Sequence, residues 1–122
     1  MNRRVLIFDD EVDLLEICKI ILGAKSFDVF TVTDCKNIFE NIERFEPDII
    51  IMDNLIPEIG GVKSTQLIKQ NNSFKNIPVI LFTVSNHIEA LATEAGADGF
   101  IKKPFDAKNL VDTVEKFLPN CH

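Results

Sequence analysis

Two rhythms of apolar residues alternate along the chain. Val5-Leu6-Ile7-Phe8 is an unbroken apolar run that stops at acids. Residues 11–24 carry Leu14, Leu15, Cys18, Ile21 and Leu22 at helical spacing and close on Gly23. Phe27 to Val32 alternates as a strand does, and residues 35–45 place Ile38, Phe39, Ile42 and Phe45 on one helical face. Pro47 breaks the chain before Ile49-Ile50-Ile51-Met52. After a loop holding Ile59-Gly60-Gly61, residues 62–71 predict a helix carrying Val62, Leu67 and Ile68. Residues 77–82 predict a strand with Pro78 near its start, where a missing amide donor is tolerated. Residues 86–95 predict a short helix ended by Gly96, and Gly99-Phe100-Ile101 a last short strand. Residues 106–118 predict a final helix with Leu110, Val111, Val114, Phe117 and Leu118 on one face and Asp106 as its N-cap.

Five strand–helix units of this kind predict an α/β fold, a parallel sheet covered by helices on both faces. The strands near 5, 49, 79 and 99 lack alternation, which predicts burial on both faces. The strand near 27 is more polar and is expected at an edge. No linker, low-complexity tract or internal repeat interrupts the rhythm.

The chain has 122 residues, 46% hydrophobic and 26% charged, which suits one globular domain and excludes disordered and fibrous classes. We expect a single domain over 1–122, with its core at about 3–118 and no room for an effector domain. The tail Pro119-Asn120-Cys121-His122 has the look of a terminus. Nineteen acids against 13 bases give a net charge of −6, which argues against direct nucleic-acid binding and against an anionic membrane surface. Cys18, Cys35 and Cys121 have no CxxC spacing and read as reduced thiols of a cytoplasmic protein. His87 and His122 lack zinc-ligand spacing to them. The four apolar residues after Arg4 are too few for a signal peptide or a membrane span.

Charge becomes informative where polar residues interrupt the strands. Asp9 and Asp10 end the first strand, Asp53 the third, Thr83 the fourth, and Lys102-Lys103 the fifth. In an open parallel sheet these ends share one edge, where ligands bind. Three carboxylates, a hydroxyl and an ammonium should therefore converge. Clustered carboxylates need a counter-ion, and a hard divalent cation on oxygen ligands supplies one. A lysine and a hydroxyl opposite them can hold phosphoryl oxygens, and one carboxylate can act as the nucleophile that accepts a phosphoryl group.

Phe8-Asp9-Asp10-Glu11, Met52-Asp53-Asn54-Leu55-Ile56-Pro57 with Gly61, Phe82-Thr83 and Lys102-Lys103-Pro104-Phe105 together resemble the receiver domain of bacterial two-component response regulators. The resemblance spans essentially the whole chain. It implies the flavodoxin-like strand order 2-1-3-4-5, carried over from the chemotaxis receivers. It implies Asp53 as phosphoacceptor, Mg²⁺ (Mn²⁺ as the alternative) held by Asp10, Asp9, Asp53 and the Leu55 backbone carbonyl, and Lys103 on the phosphoryl oxygens. Thr83 would move to the new phosphoryl group, and Phe100 would turn inward with it as the switch aromatic. The bond before Pro104 would be cis, as in the family, which would place the ammonium in the crevice. The implied partners are a sensor histidine kinase or phosphotransfer protein as donor and a downstream protein docking on residues about 86–118. The implied role is a signalling phosphoacceptor, not an enzyme with an external substrate.

Each residue alone has a plainer reading. Asp10 could cap the first helix, Thr83 could satisfy backbone, Lys102 is expected in solvent, and Phe100 could be core. Cys18 is expected to pack and His87 to lie on the surface. The chain departs from the family at Val84, where a small residue is common, at Asn54, where an apolar one is frequent, and at Phe100, where Tyr is frequent. Leu55, two after Asp53, cannot orient a water, so a persistent phosphoryl group is expected. A degenerate receiver working by phosphorylation-independent contact is the alternative, although the site set is intact. A haloacid-dehalogenase-like phosphatase would need an acid at 55, and a flavodoxin a Ser/Thr-rich first loop.

Overall fold

The computed structural model describes residues 2–118. The tail read as a terminus, with Cys121 and His122, lies outside the described residues. Five strands and five helices alternate: β1 Arg4–Phe8, α1 Val12–Gly23, β2 Asp28–Val32, α2 Ile38–Phe45, β3 Ile49–Asp53, α3 Gly61–Gln70, β4 Val79–Thr83, α4 Ile88–Ala95, β5 Gly99–Lys102 and α5 Ala107–Phe117. All pairings are parallel, in the order β2-β1-β3-β4-β5. This is the flavodoxin-like arrangement, and it puts β2 at an edge as its polarity implied.

The pleat divides the core in two. Val5, Ile7, Ile49, Ile51, Ile80 and Phe82 pack with Leu15, Cys18 and Leu22 of α1 and Leu110, Val111 and Val114 of α5. Leu6, Phe8, Ile50, Met52 and Val79 pack on the other face with Ile38 and Ile42 of α2 and Ile68 of α3. Successive strand residues thus serve opposite layers, which is why β1, β3 and β4 need unbroken apolar runs. Each large side chain buried this way contributes roughly 1.5–3 kcal/mol.

Two expectations are corrected. The strand near 99 is not buried on both faces. β5 is the second edge, and there only Ile101 is buried while Phe100 is 40% exposed and Lys102 lies in solvent. At this edge α4 and α5 cover the four-residue strand only in part. α3 buries Gly61, Ser64, Thr65 and Ile68, whereas Val62 and Leu67 are only half-buried. Its inward face carries small residues because the helix starts against the end of β3. A Cβ on Gly61 would stand 2.7 Å from Asn54 Cα and collide with the Asp53 carbonyl.

Helix ends follow local chemistry. Asp106 caps α5 by accepting from the Asn109 N–H at 2.7 Å. Gly96 ends α4 in the left-handed region at φ 74°. Gly23 does not end α1 that way; it is the last helical residue, and the positive φ falls on Ser26. His87 lies exposed at the start of α4.

Cys18 and Cys35 are free and buried. Burial pushes both thiols up to about 11, with the Asp9 carboxylate adding to the rise at Cys18. The folded thiols therefore hold their protons more tightly than unfolded ones. Their contribution to stability is intact below the ordinary thiol value of 9.0 and is lost as pH rises through about 11. Native protein treated with iodoacetamide at pH 8 should leave both residues unmodified in peptide mass maps, and urea should expose both. Alkylation of either in the native protein would contradict this packing.

Candidate functional site

The geometry of the site follows from the pleat. Asp9 continues the series Val5, Ile7; Asp53 continues Ile49, Ile51; Lys103 continues Ile101. All three extend residues of one core layer, so the alternation aims them toward the same side of the sheet edge. The ladder carries on past the strand ends to hold them there. The Asp9 N–H donates to Val32 O at 3.0 Å, Asn54 N–H to Phe82 O at 2.9 Å, and Lys103 N–H to Thr83 O at 2.8 Å.

Their side chains meet. Lys103 Nζ donates to Asp9 Oδ2 at 2.9 Å and to Asp53 Oδ1 at 3.2 Å. Asp9 is 0% exposed, Asp53 4% and Lys103 8%, so this is a buried ion triad. The ammonium also lies 4.9 Å above the centroid of the Phe82 ring, which itself packs on Phe105. Asp9 Oδ1 accepts from the Glu11 N–H at 2.9 Å, which fixes the turn into α1. Glu11 is the residue that sequence reasoning missed: its Oε1 stands 3.4 Å from Lys103 Nζ. The signal available was the third acid in Asp-Asp-Glu.

Asp10 is exposed and does not cap α1, whose N-cap is Glu11 without a side-chain bond. Instead, Asp9, Asp10 and Asp53 each offer an oxygen within 4.8 Å of the others. A cleft of about 250 Å³ opens over them, lined by Asp10, Glu11, Asp53, Leu55, Thr83, Val84 and Lys103. Thr83 is buried, and its Oγ1 accepts from the Ser85 N–H at 3.2 Å. The Lys103–Pro104 peptide is cis. Phe100 is not brought into the cleft; it sits half-open on β5 beside Leu81. Lys102 is exposed as expected, but it donates to Asn86 Oδ1 at 2.8 Å.

The electrostatics are those of crowded carboxylates. Burial, then the charge of Asp9, push the Asp53 carboxyl above the ordinary carboxylate value, and Lys103 pulls it back only in part. For Lys103, burial alone would lower the ammonium. The hydrogen bond and charge of Asp9, with those of Asp53, outweigh it and hold the group above its ordinary value. Asp9, Asp10, Asp53 and Glu11 outnumber the one ammonium of Lys103 at the cleft, an excess of negative charge that a divalent cation would offset. The donors are all oxygen, two carboxylates buried and one open to solvent, which fits a hard cation that keeps some of its waters.

Comparison with known proteins bears on the family and the fold. Residues 5–115 match the family model of the response regulator receiver domain. The DNA-binding response regulator MtrA of Mycolicibacterium paratuberculosis is 28% identical over 120 residues, 97% of this chain and 52% of MtrA. The chain thus spans about half the length of the curated relatives it matches. A putative response regulator from Chloroflexus aurantiacus superposes with a TM-score of 0.89 at 27% identity, covering 95% of this chain and 97% of that one. The receiver domain of sensor histidine kinase PA1611 from Pseudomonas aeruginosa, whose structure has a magnesium ion coordinated in its active site cleft, shares the fold. Its TM-score is 0.86 at 22% identity, covering 96% and 98% of the two chains. The chain belongs to the response regulator receiver family of two-component signalling. Receiver domains bind Mg²⁺ at an acidic pocket and interact with histidine kinases and downstream effectors. Among the described residues no helix is long and apolar enough to cross a membrane.

Because the folded protein binds the Asp53 proton more tightly than the unfolded chain does, its ionised form costs stability at neutral pH. The stabilising protonated form is present below the ordinary carboxylate value and lost as pH rises through the raised one. Asp53→Asn should therefore raise stability at pH 7 without divalent cations by about 1 kcal/mol, a Tm increase of a few degrees. Thermal melts at pH 7 and pH 4 check it. A lower Tm at pH 7, or a gain that grows in acid, would contradict the electrostatic account.

Proposed function

We propose that this chain is a phosphoacceptor module of a two-component phosphorelay, with Asp53 as the residue that takes the phosphoryl group. The observation that carries this reading is the buried Lys103 shared between Asp9 and Asp53, with Asp10 alongside, under a cleft open to solvent. The donor would be a phosphohistidine on a sensor histidine kinase or phosphotransfer protein. An Asp53 carboxylate oxygen attacks phosphorus, the P–N bond breaks, and the electron pair stays on the imidazole, which takes up a proton. Lys103 swings from carboxylate to phosphoryl oxygens, a short move because it already touches Asp53. Thr83 gives up the Ser85 N–H and turns its hydroxyl to the new group.

Asp9, Asp10, Asp53 and the Leu55 carbonyl would hold Mg²⁺, with Mn²⁺ the alternative. Bound there, the ion would offset the charge that gathers on the phosphoryl oxygens. The signal would leave through residues about 86–118, with Phe100 turning inward from its present half-exposed position, to a downstream protein in the cytoplasm. The net charge of −6 favours a protein target over direct contact of this chain with DNA. We assign residues 1–122 to one receiver domain with its core at about residues 3–118.

Val84 and Leu55, 60% and 71% exposed, rim the cleft with apolar surface and offer an attacking water no hydrogen-bond partner. The phosphoryl group should therefore outlast that of the chemotaxis receivers. Incubation with acetyl phosphate and Mg²⁺, followed by intact mass, should add one phosphoryl group to the wild type and none to Asp53→Ala. Mg²⁺ alone should raise the Tm of the wild type, and Asp10→Asn should abolish most of that rise. Equal phosphorylation of Asp53→Ala would defeat the assignment, and decay within seconds would defeat the predicted persistence.

A further inference from the structure

Lys102 does more in this fold than its exposure suggests. It is the last residue of β5 and pairs in register with Thr83. Its Nζ donates to Asn86 Oδ1 at 2.8 Å. Asn86 lies in the segment 84–87 that joins β4 to α4. That segment is otherwise shaped by two side-chain turns, the Ser85 N–H on Thr83 Oγ1 at 3.2 Å and the His87 N–H on Ser85 Oγ at 3.0 Å. α4 starts after His87 with no side-chain cap. Val84, at the head of the segment, lines the cleft over Asp53.

We propose that Lys102, acting through Asn86, is a positioning residue that holds the 84–87 segment, and with it Val84 at the mouth of the cleft, and so sets how readily a phosphodonor, and later water, reaches Asp53. The inference rests on the proposed role of Asp53. Its physical basis is the order of tethers. When the Thr83 hydroxyl turns to a phosphoryl group, the Ser85 N–H loses its acceptor, and among the described residues the Lys102–Asn86 bond is then the remaining side-chain hydrogen bond from the segment to a strand. The tie reaches β5 at the residue beside Lys103, so the roof and the site lysine share one anchor. Because the bond is charge-assisted but open to solvent, its influence is modest.

Four variants test it: Lys102→Met, Asn86→Ala, the double variant and Lys102→Arg. Asn86→Ala breaks the bond and keeps the Lys102 charge, which separates tether from electrostatics. With acetyl phosphate and Mg²⁺, both phosphorylation and hydrolysis should speed up about two- to fivefold in each single variant, the range an exposed pair allows. The double variant should be no faster than either single, and Lys102→Arg should return toward wild type. Amide exchange over residues 85–88, measured without phosphodonor, should quicken in both single variants. Exchange needs no phosphorylation, so a wild type that takes no phosphoryl group would sink the Asp53 reading while exchange still reports on the tether. Wild-type exchange in Asn86→Ala, unchanged rates despite faster exchange, or effects that multiply in the double variant would each overturn the proposal.

Discussion

The buried ammonium of Lys103 is the interaction on which the site depends. Asp9 and Asp53 are almost wholly withdrawn from water, and two carboxylates placed so would repel at low dielectric without a cation between them. Lys103 touches both, at 2.9 and 3.2 Å, and a phenyl face completes its surroundings. Removing Lys103 would leave two buried carboxylates without a counter-charge and cost several kcal/mol, whereas neutralising Asp53 leaves the Lys103–Asp9 pair intact. The sheet sets the members' positions. Residues 5-7-9, 49-51-53 and 101-103 each run along one side of the pleat, so register brings the three charges together from positions far apart in the chain.

Acid inside and apolar outside is the second theme. The cleft floor is carboxylate and ammonium, whereas Leu55 and Val84 form much of its mouth. The floor suits the phosphoryl transfer proposed for Asp53, whose carboxylate Lys103 already holds. On the proposed reading, water entering at this rim would find no partner to orient it, which would slow loss of the phosphoryl group. Gly61 underlies this division: without a Cβ, α3 can start against the end of β3 and hold the Asp53–Asn54 backbone in place beneath the cleft.

The central strands were legible because residues that must face two layers leave no room for polar ones; Val5–Phe8 and Ile49–Met52 show this directly. The same rule failed at β5, where a run of similar look has one neighbour strand and leaves Phe100 and Lys102 outward. It failed on α3 because close approach favours Gly61, Ser64 and Thr65 over bulky residues, and periodicity searches for bulk. Asp9, Asp10, Asp53, Thr83 and Lys103 could be placed at one edge from their strand-end positions alone, whereas strand order came from family resemblance. The third acid of Asp-Asp-Glu was the only pointer to Glu11 near Lys103, and nothing pointed to Asn86 beside Lys102. Both contacts join segments whose spacing in space no local pattern encodes.

The central claim is that Asp53 is the group that accepts phosphate. Its most direct test is chemical trapping: phosphorylate the protein, reduce the acyl phosphate with borohydride, and locate the resulting homoserine by peptide mass mapping. The account predicts homoserine at position 53 and at neither 9 nor 10. Reduction at Asp9 or Asp10, or none at 53 in protein that carries a phosphoryl group, would contradict it.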